Sequence, residues 1–168
     1  MAPLKTKGDL AELKVAADLL SRGYRISFPY GEDCDYDLIC DTGDRLHRIQ
    51  VKHTTSNGVV MAVKCFSHSL TNGRIRRTKR YTASSIDWLA VFDRSSGRCF
   101  YVPAEELGAG RSMIHLRLLE TRNGQRKGIR FATDYESFPN PLRAPLDGME
   151  PAGLEPATSR MQTGRSSN

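Results

Sequence analysis

Two β-patterned runs, Tyr36-Asp37-Leu38-Ile39-Cys40 and Leu46 to Lys52, flank the turn Asp41-Thr42-Gly43-Asp44. No other feature constrains the chain more. Short apolar runs around a turn of this composition predict a β-hairpin. On the returning strand Arg48, Gln50 and Lys52 share one face, and Ile49 and Val51 take the other. The apolar face needs a covering layer. Gln50 and Lys52 leave two polar groups at the end of an otherwise apolar strand, where the hairpin brings Asp37 close to them.

The flanking segments predict that layer and the rest of the sheet. Lys7 to Arg22 carries apolar residues at Leu10, Leu13, Ala17 and Leu20, with Ala16 and Leu19 beside them. This is the stripe of an amphipathic helix, and Gly23 stops it. Strands are expected at Tyr24–Phe28, Val59–Cys65, Ile86–Phe92, Arg98–Val102 and Met113–Leu119, with a short one at Ile129–Ala132. Trp88 and Phe92 lie in an apolar strand and read as core. Pro103 opens a short helix through Leu107. Thr71 to Ser85 reads as a polar, basic loop turning at Asn72-Gly73. From 139 onward Pro139, Pro141, Pro145, Pro151 and Pro156 interrupt a serine- and glycine-rich stretch. The expected organisation is one domain over 1–138 and a disordered tail over 139–168.

Charge narrows the function. The net charge of +6 is unevenly spread: residues 1–67 carry 9 basic and 9 acidic side chains, and residues 68–130 carry 13 basic and 5 acidic. A basic block beside a separate acidic cluster points to a polyanion partner and a metal. No run of about 18 apolar residues suggests a membrane span. Met1 to Lys5 is not followed by an apolar signal core, and Cys34, Cys40, Cys65 and Cys99 form no CxxC pair, so a cytoplasmic chain with free thiols is expected. His47, His53, His68 and His115 have no zinc-like spacing with the cysteines.

The acidic cluster sits just before the hairpin. Asp33, Asp35 and Asp37 share one parity, so an extended backbone would point all three to one side. Carboxylates at that spacing repel one another unless a cation or basic group lies between them. A carboxylate, an amide oxygen and a lysine on adjacent strands could hold a divalent cation and a water near a phosphate.

Asp37, with twelve residues between it and Gln50-Val51-Lys52, resembles the motif of the PD-(D/E)XK nucleases. The helix segment Gly8-Asp9-Leu10-Ala11-Glu12, then Tyr36-Asp37-Leu38, then Arg48-Ile49-Gln50-Val51-Lys52 is similar to the group I intron-associated homing endonuclease branch, in which glutamine replaces the usual acid. The resemblance covers about residues 7–103. The residue before Asp37 is Tyr36, where the family pattern has proline.

The resemblance implies an α/β restriction-endonuclease-like core, a mixed β-sheet flanked by helices. It also implies hydrolysis of double-stranded DNA with Mg²⁺ (Mn²⁺ as an alternative) by a homodimer or homotetramer. Glu12, Asp37, Gln50 and Lys52 are then the catalytic set. Glu12, Asp37, the Gln50 amide oxygen and the Val51 carbonyl are the metal ligands. Arg74, Arg76, Arg77, Lys79 and Arg80 are expected to contact DNA phosphates from the loop, and Arg117, Arg122, Arg126, Lys127 and Arg130 form a second basic group. The rival readings are a Holliday-junction resolvase or repair nuclease of the same fold, a catalytically inactive DNA-binding module, and an RNA-binding basic protein.

Overall fold

The computed structural model describes residues 4–31, 34–71 and 74–139. Helix α1 spans Leu4–Ser21. It ends where Gly23 adopts φ 87°, a conformation glycine enters without steric cost. The Gly23 N–H then reaches the Leu20 carbonyl at 3.0 Å and the Tyr24 N–H reaches the Leu19 carbonyl at 3.2 Å, a Schellman ending. Leu19 and Tyr24 both bury in one cluster, which adds the hydrophobic contact of that motif.

Five strands form the central sheet: β1 (Arg25–Ser27), β2 (Leu38–Asp41), β3 (Leu46–Thr54), β7 (Trp88–Asp93) and β8 (Arg98–Pro103), side by side in that order. β2 and β3 are the antiparallel hairpin, with Leu38 opposite Ile49. β3 and β7 run parallel, with Val51 opposite Ala90. The sheet is therefore mixed. β7 is buried along almost its whole length, as a strand covered on both faces must be.

The two covers differ. Ala11, Val15, Ala16 and Leu19 of α1 pack on Ile49, Val51, Ala90 and Phe92. On the opposite face Leu89, Val91, Phe100 and Val102 meet Met61 and Val63 of β4 (Val60–Lys64) and Ile114 and Leu116 of β9 (Met113–Arg117). β4 and β9 pair antiparallel across about fifty residues of chain. The α/β mixed-sheet expectation holds. Among the described residues, however, one α-helix covers one face and a β-ribbon covers the other; the further helical turns are 3-10 turns at Ala104–Leu107 and Ala132–Tyr135.

Other expectations need correction. The anticipated α1 stripe is split: Ala16 and Leu19 face the core, but Leu10, Leu13 and Leu20 are 47%, 60% and 55% exposed. The sheet instead takes the alanine-rich side, where small side chains allow close approach. The basic "loop" is a second hairpin, β5 (Phe66–Thr71) with β6 (Arg74–Arg80). Ile129–Ala132 contributes only a single bridge, Phe131 beside Arg117. Phe138 lies near the end of the described chain inside an aromatic cage, with ring centroids 5.2 Å from Tyr24, 4.9 Å from Trp88 and 5.3 Å from Tyr101. The expected tail lies outside the described residues from 140 onward, and Asp33 and the Asn72-Gly73 turn also lie outside them.

Candidate active site

The site forms where β2 stops short of its neighbour. The β2–β3 ladder runs to Leu38 and Ile49, and the Asp37 N–H adds one more bond, to the Ile49 carbonyl at 2.9 Å. Beyond it β3 continues alone on that side. The N–H and C=O of one strand residue point the same way, so the Val51 amide and carbonyl both face the gap. An unpaired buried amide is costly. The Asp37 carboxylate fills the place of the missing strand: Oδ2 accepts the Val51 N–H at 2.7 Å and also the Gln50 Nε2 donor. Gln50 Nε2 lies 3.2 Å from the Val51 carbonyl oxygen as well.

Burial dominates the electrostatics. It pushes the Asp37 carboxyl above the usual carboxylate range, against the Val51 N–H, Lys52 and the Gln50 amide, which all favour the charged form. Glu12 reaches the same site from α1. Its carboxyl is also raised, first by burial, then by Asp37 and Asp9, with Lys52 opposing. Glu12, Asp37 and Lys52 are therefore within electrostatic reach of one another.

Lys52 is half-buried, with Nζ 5.0 Å from the centroid of the fully buried Tyr81 ring, a cation–π contact that orients the ammonium. Tyr81 is not among the expected site residues; its one signal in the sequence is an aromatic directly after the basic run. His53 is one residue further along β3. Its imidazole is held below the usual histidine range by burial, and then by Arg94, Lys7 and Lys52.

Two expected neighbours are engaged elsewhere. Arg48 shares the Gln50–Lys52 face, but its guanidinium grips Asp87 at 3.1 Å and 3.2 Å. Asp35 does not line up with Asp37. The backbone bends at both residues, and Asp35 forms an ion pair with Lys79 of β6. Each carboxylate takes its own partner, which relieves the repulsion that a shared face would impose. Arg74, Arg76, Arg77, Lys79 and Arg80 all lie on β6, with Arg77 and Arg80 exposed. The Arg80 Nη1 donates to the Gly110 carbonyl at 3.4 Å.

Among the described residues no three His, Cys, Asp or Glu side chains converge on a metal-sized site. The donors at the gap are two carboxylates, an amide and a backbone carbonyl. All offer oxygen, which suits a hard divalent cation. Gln50 presents its NH₂ to Asp37, and a half-turn of the amide presents Oε1 instead. Both carboxyls are held high by burial, and Glu12 further by Asp37 and Asp9, so the site is one that a cation would relieve, and the residues fit a hard divalent cation.

The description "PD-(D/E)XK endonuclease" belongs to a family model that matches residues 3–138. Among solved structures, the bacterial homing endonuclease I-Ssp6803I is similar in fold. Its TM-score is 0.62 at 23% sequence identity, over 80% of this chain and 88% of that one. No curated protein matches.

Proposed function

The chain belongs to the PD-(D/E)XK endonuclease family, and from that premise we propose that it is a Mg²⁺-dependent endonuclease that cuts double-stranded DNA at a specific site, as an intron-borne homing enzyme does. The observation that carries this reading is the Asp37 carboxylate seated on the Val51 amide, with Glu12 and Lys52 in electrostatic reach. The fold likeness to a homing endonuclease supports the choice of substrate.

Glu12, Asp37, the Gln50 amide oxygen and the Val51 carbonyl would hold the cation. Mg²⁺, or Mn²⁺ in its place, supplies Lewis-acid polarisation of the scissile phosphate. Lys52 donates its N–H groups to phosphate oxygens and to the attacking water, stabilising charge as it develops. Tyr81 keeps the Lys52 ammonium in place. Arg77 and Arg80 on β6 present cations to the DNA backbone, and Arg74, Arg76 and Lys79 belong to the same strand.

Cutting both strands calls for two sites, which a homodimer or homotetramer provides. The outward strip of Leu10, Leu13 and Leu20 on α1 is an apolar face that a second copy can cover. The proposed compartment is the cytoplasm; among the described residues no helix is long and apolar enough to cross a membrane.

The test is cleavage of a duplex carrying the uninterrupted insertion site, with Mg²⁺ present. Wild type should cut, and Lys52→Ala should lose about 10²–10⁴-fold in single-turnover rate while still binding. Preferential cutting of a four-way junction over linear duplex would turn the reading to a resolvase. A wild-type protein that binds but never cuts would turn it to an inactive DNA-binding module.

A further inference from the structure

The outer face of the β4–β9 ribbon has no role in the site described above. Its cross-strand neighbours are Lys64 with Met113, Ala62 with His115, and Val60 with Arg117, while Ile114 and Leu116 point into the core. Beside it lies a groove of about 330 Å³ lined by Arg111, His115, Arg117 and Arg130, together with Met113 and Ile129. Among the described residues no acidic side chain lines it.

The cations there are unequally committed. Arg130 is paired with Glu106 at 2.8 Å, and Glu106 also accepts the Tyr135 hydroxyl. Among the described residues Arg117 engages its Nε alone, on the Leu119 carbonyl at 2.8 Å. Arg111 and Lys64 are exposed and form no ion pair among the described residues. Three arginines around a groove with one carboxylate partner leave a net positive surface, which suits an anion of extended shape.

The groove also lies close to the site. The Cys65 N–H donates to the Ser112 carbonyl at 3.0 Å, and the Cys65 carbonyl accepts the Tyr81 N–H at 3.1 Å. Tyr81 carries the Lys52 ammonium on its ring. One cation–π contact and two backbone hydrogen bonds thus lead from Lys52 through Tyr81 and Cys65 to Ser112, next to Arg111. In keeping with this, burial pushes the buried Cys65 thiol up, while the Ile114 backbone, Lys52, Arg130 and Arg111 all act against that rise. On the β6 side, Arg80 reaches the carbonyl of Gly110, the residue before Arg111. A duplex carries about one charge per 1.7 Å of axis, so DNA with one phosphate at Lys52 offers many further phosphates along its length.

We propose that the Arg111–Arg117 groove binds backbone phosphates of the duplex flanking the cleavage position, with Lys64 and His115 at its edge. The proposal rests on the nuclease reading and extends it to a second DNA-contacting surface, separate from β6. Hydrogen bonds and ion pairs to phosphates position a duplex without reading its sequence. The groove therefore contributes affinity and register, not site choice.

The test is binding of a long random-sequence duplex by the full chain, without divalent metal, across a salt series. Arg111→Gln alone, and Arg111→Gln with Arg117→Gln, should raise Kd on the order of tenfold at low salt. Each should also flatten the log–log salt slope by about 0.9 for every phosphate that the protein no longer neutralises. Arg25→Gln, an exposed cation on edge strand β1, should leave both quantities unchanged. Arg111 makes no side-chain bond among the described residues, so the single variant keeps the test clear of folding effects. Unaltered Kd and slope in both variants, beside a wild type that binds and cuts, overturn the groove and leave the nuclease intact. A wild type with no salt-dependent DNA binding overturns both.

Discussion

The Val51 N–H donates to Asp37 Oδ2 at 2.7 Å, so a side chain takes a position in the sheet that a strand would otherwise hold. Asp37 is fixed to the backbone of the strand that carries Gln50 and Lys52, and the three cannot drift apart while β3 keeps its register with β7. The carboxylate completes the sheet and supplies the site's central charge. Structural and chemical roles can be separated by substitution because they use different properties of the same group.

Asp37→Asn keeps an oxygen for the Val51 N–H and discards the charge. Asp37→Ala leaves that amide without a partner, a cost of about 1–3 kcal/mol. In metal-free buffer the alanine variant should therefore melt several degrees below wild type, and the asparagine variant at or above it. Both should lose cleavage, and both should lose the Mg²⁺-dependent rise in Tm expected of wild type if it binds the cation when folded. Thermal melts with and without Mg²⁺ measure this. An alanine variant as stable as the asparagine one would show that the Asp37–Val51 bond carries no structural weight.

Glu12 makes the pH dependence readable. Its folded carboxyl titrates above the usual range because of burial, and then because of Asp37 and Asp9. A carboxyl raised on folding contributes stability below its unfolded pKa and loses it as pH rises through the folded value. Glu12→Gln removes this loss. Metal-free Glu12→Gln should thus match wild type at acid pH and become the more stable protein as pH rises to neutrality. Added Mg²⁺ should reverse the order at neutral pH. Tm against pH for the two proteins gives the answer, and parallel curves would contradict the coupling.

Much of this site is legible in the sequence because hairpin registers are local. The turn at Asp41–Asp44 and the alternation through Arg48–Lys52 bring Asp37 to Gln50 and Lys52 without reference to distant residues. The β5–β6 hairpin is hidden by its composition. Arg74 to Arg80 holds a single apolar residue, Ile75, so no period-2 pattern distinguishes a strand from a loop. The sequence marks a turn at Asn72-Gly73, which lies outside the described residues, and gives no sign of the strands on either side. The covering face of α1 is obscured for a related reason. Leucines make the stronger stripe, yet Ala11, Val15 and Ala16 are what fit against the sheet. The β4–β9 ribbon depends on a pairing about fifty residues long, which no local pattern encodes.

The Asp35–Lys79 ion pair ties the basic strand to the loop before Asp37. Both partners are partly exposed, and such pairs are worth about 0–1 kcal/mol. The pair matters more for DNA, because Asp35 competes with phosphate for the Lys79 ammonium. Asp35→Asn should barely change Tm, tighten binding to duplex DNA a few-fold at low salt and steepen the salt slope. Fluorescence anisotropy at several salt concentrations measures it. Weaker binding by this variant would mean that the pair holds the strand in its binding geometry rather than masking a cation.

Gln50 tests why this site uses an amide where the family motif has an acid. It is buried, and its NH₂ donates to Asp37. Gln50→Glu keeps the size and replaces that donor with a carboxylate beside one already raised by burial. Two ionised carboxylates so close disfavour each other, and a buried acceptor facing an acceptor has no hydrogen bond to make. The metal-free variant should melt below wild type at neutral pH. The gap should narrow in acid, where one proton shared by the pair restores a donor. Mg²⁺ should narrow it as well, and more steeply with concentration than in wild type, because the variant offers the cation one more negative charge. Calorimetric Mg²⁺ titration should give the tighter constant for Gln50→Glu. Equal metal affinity in the two proteins would mean that residue 50 does not face the cation, leaving Glu12, Asp37 and the Val51 carbonyl as its ligands.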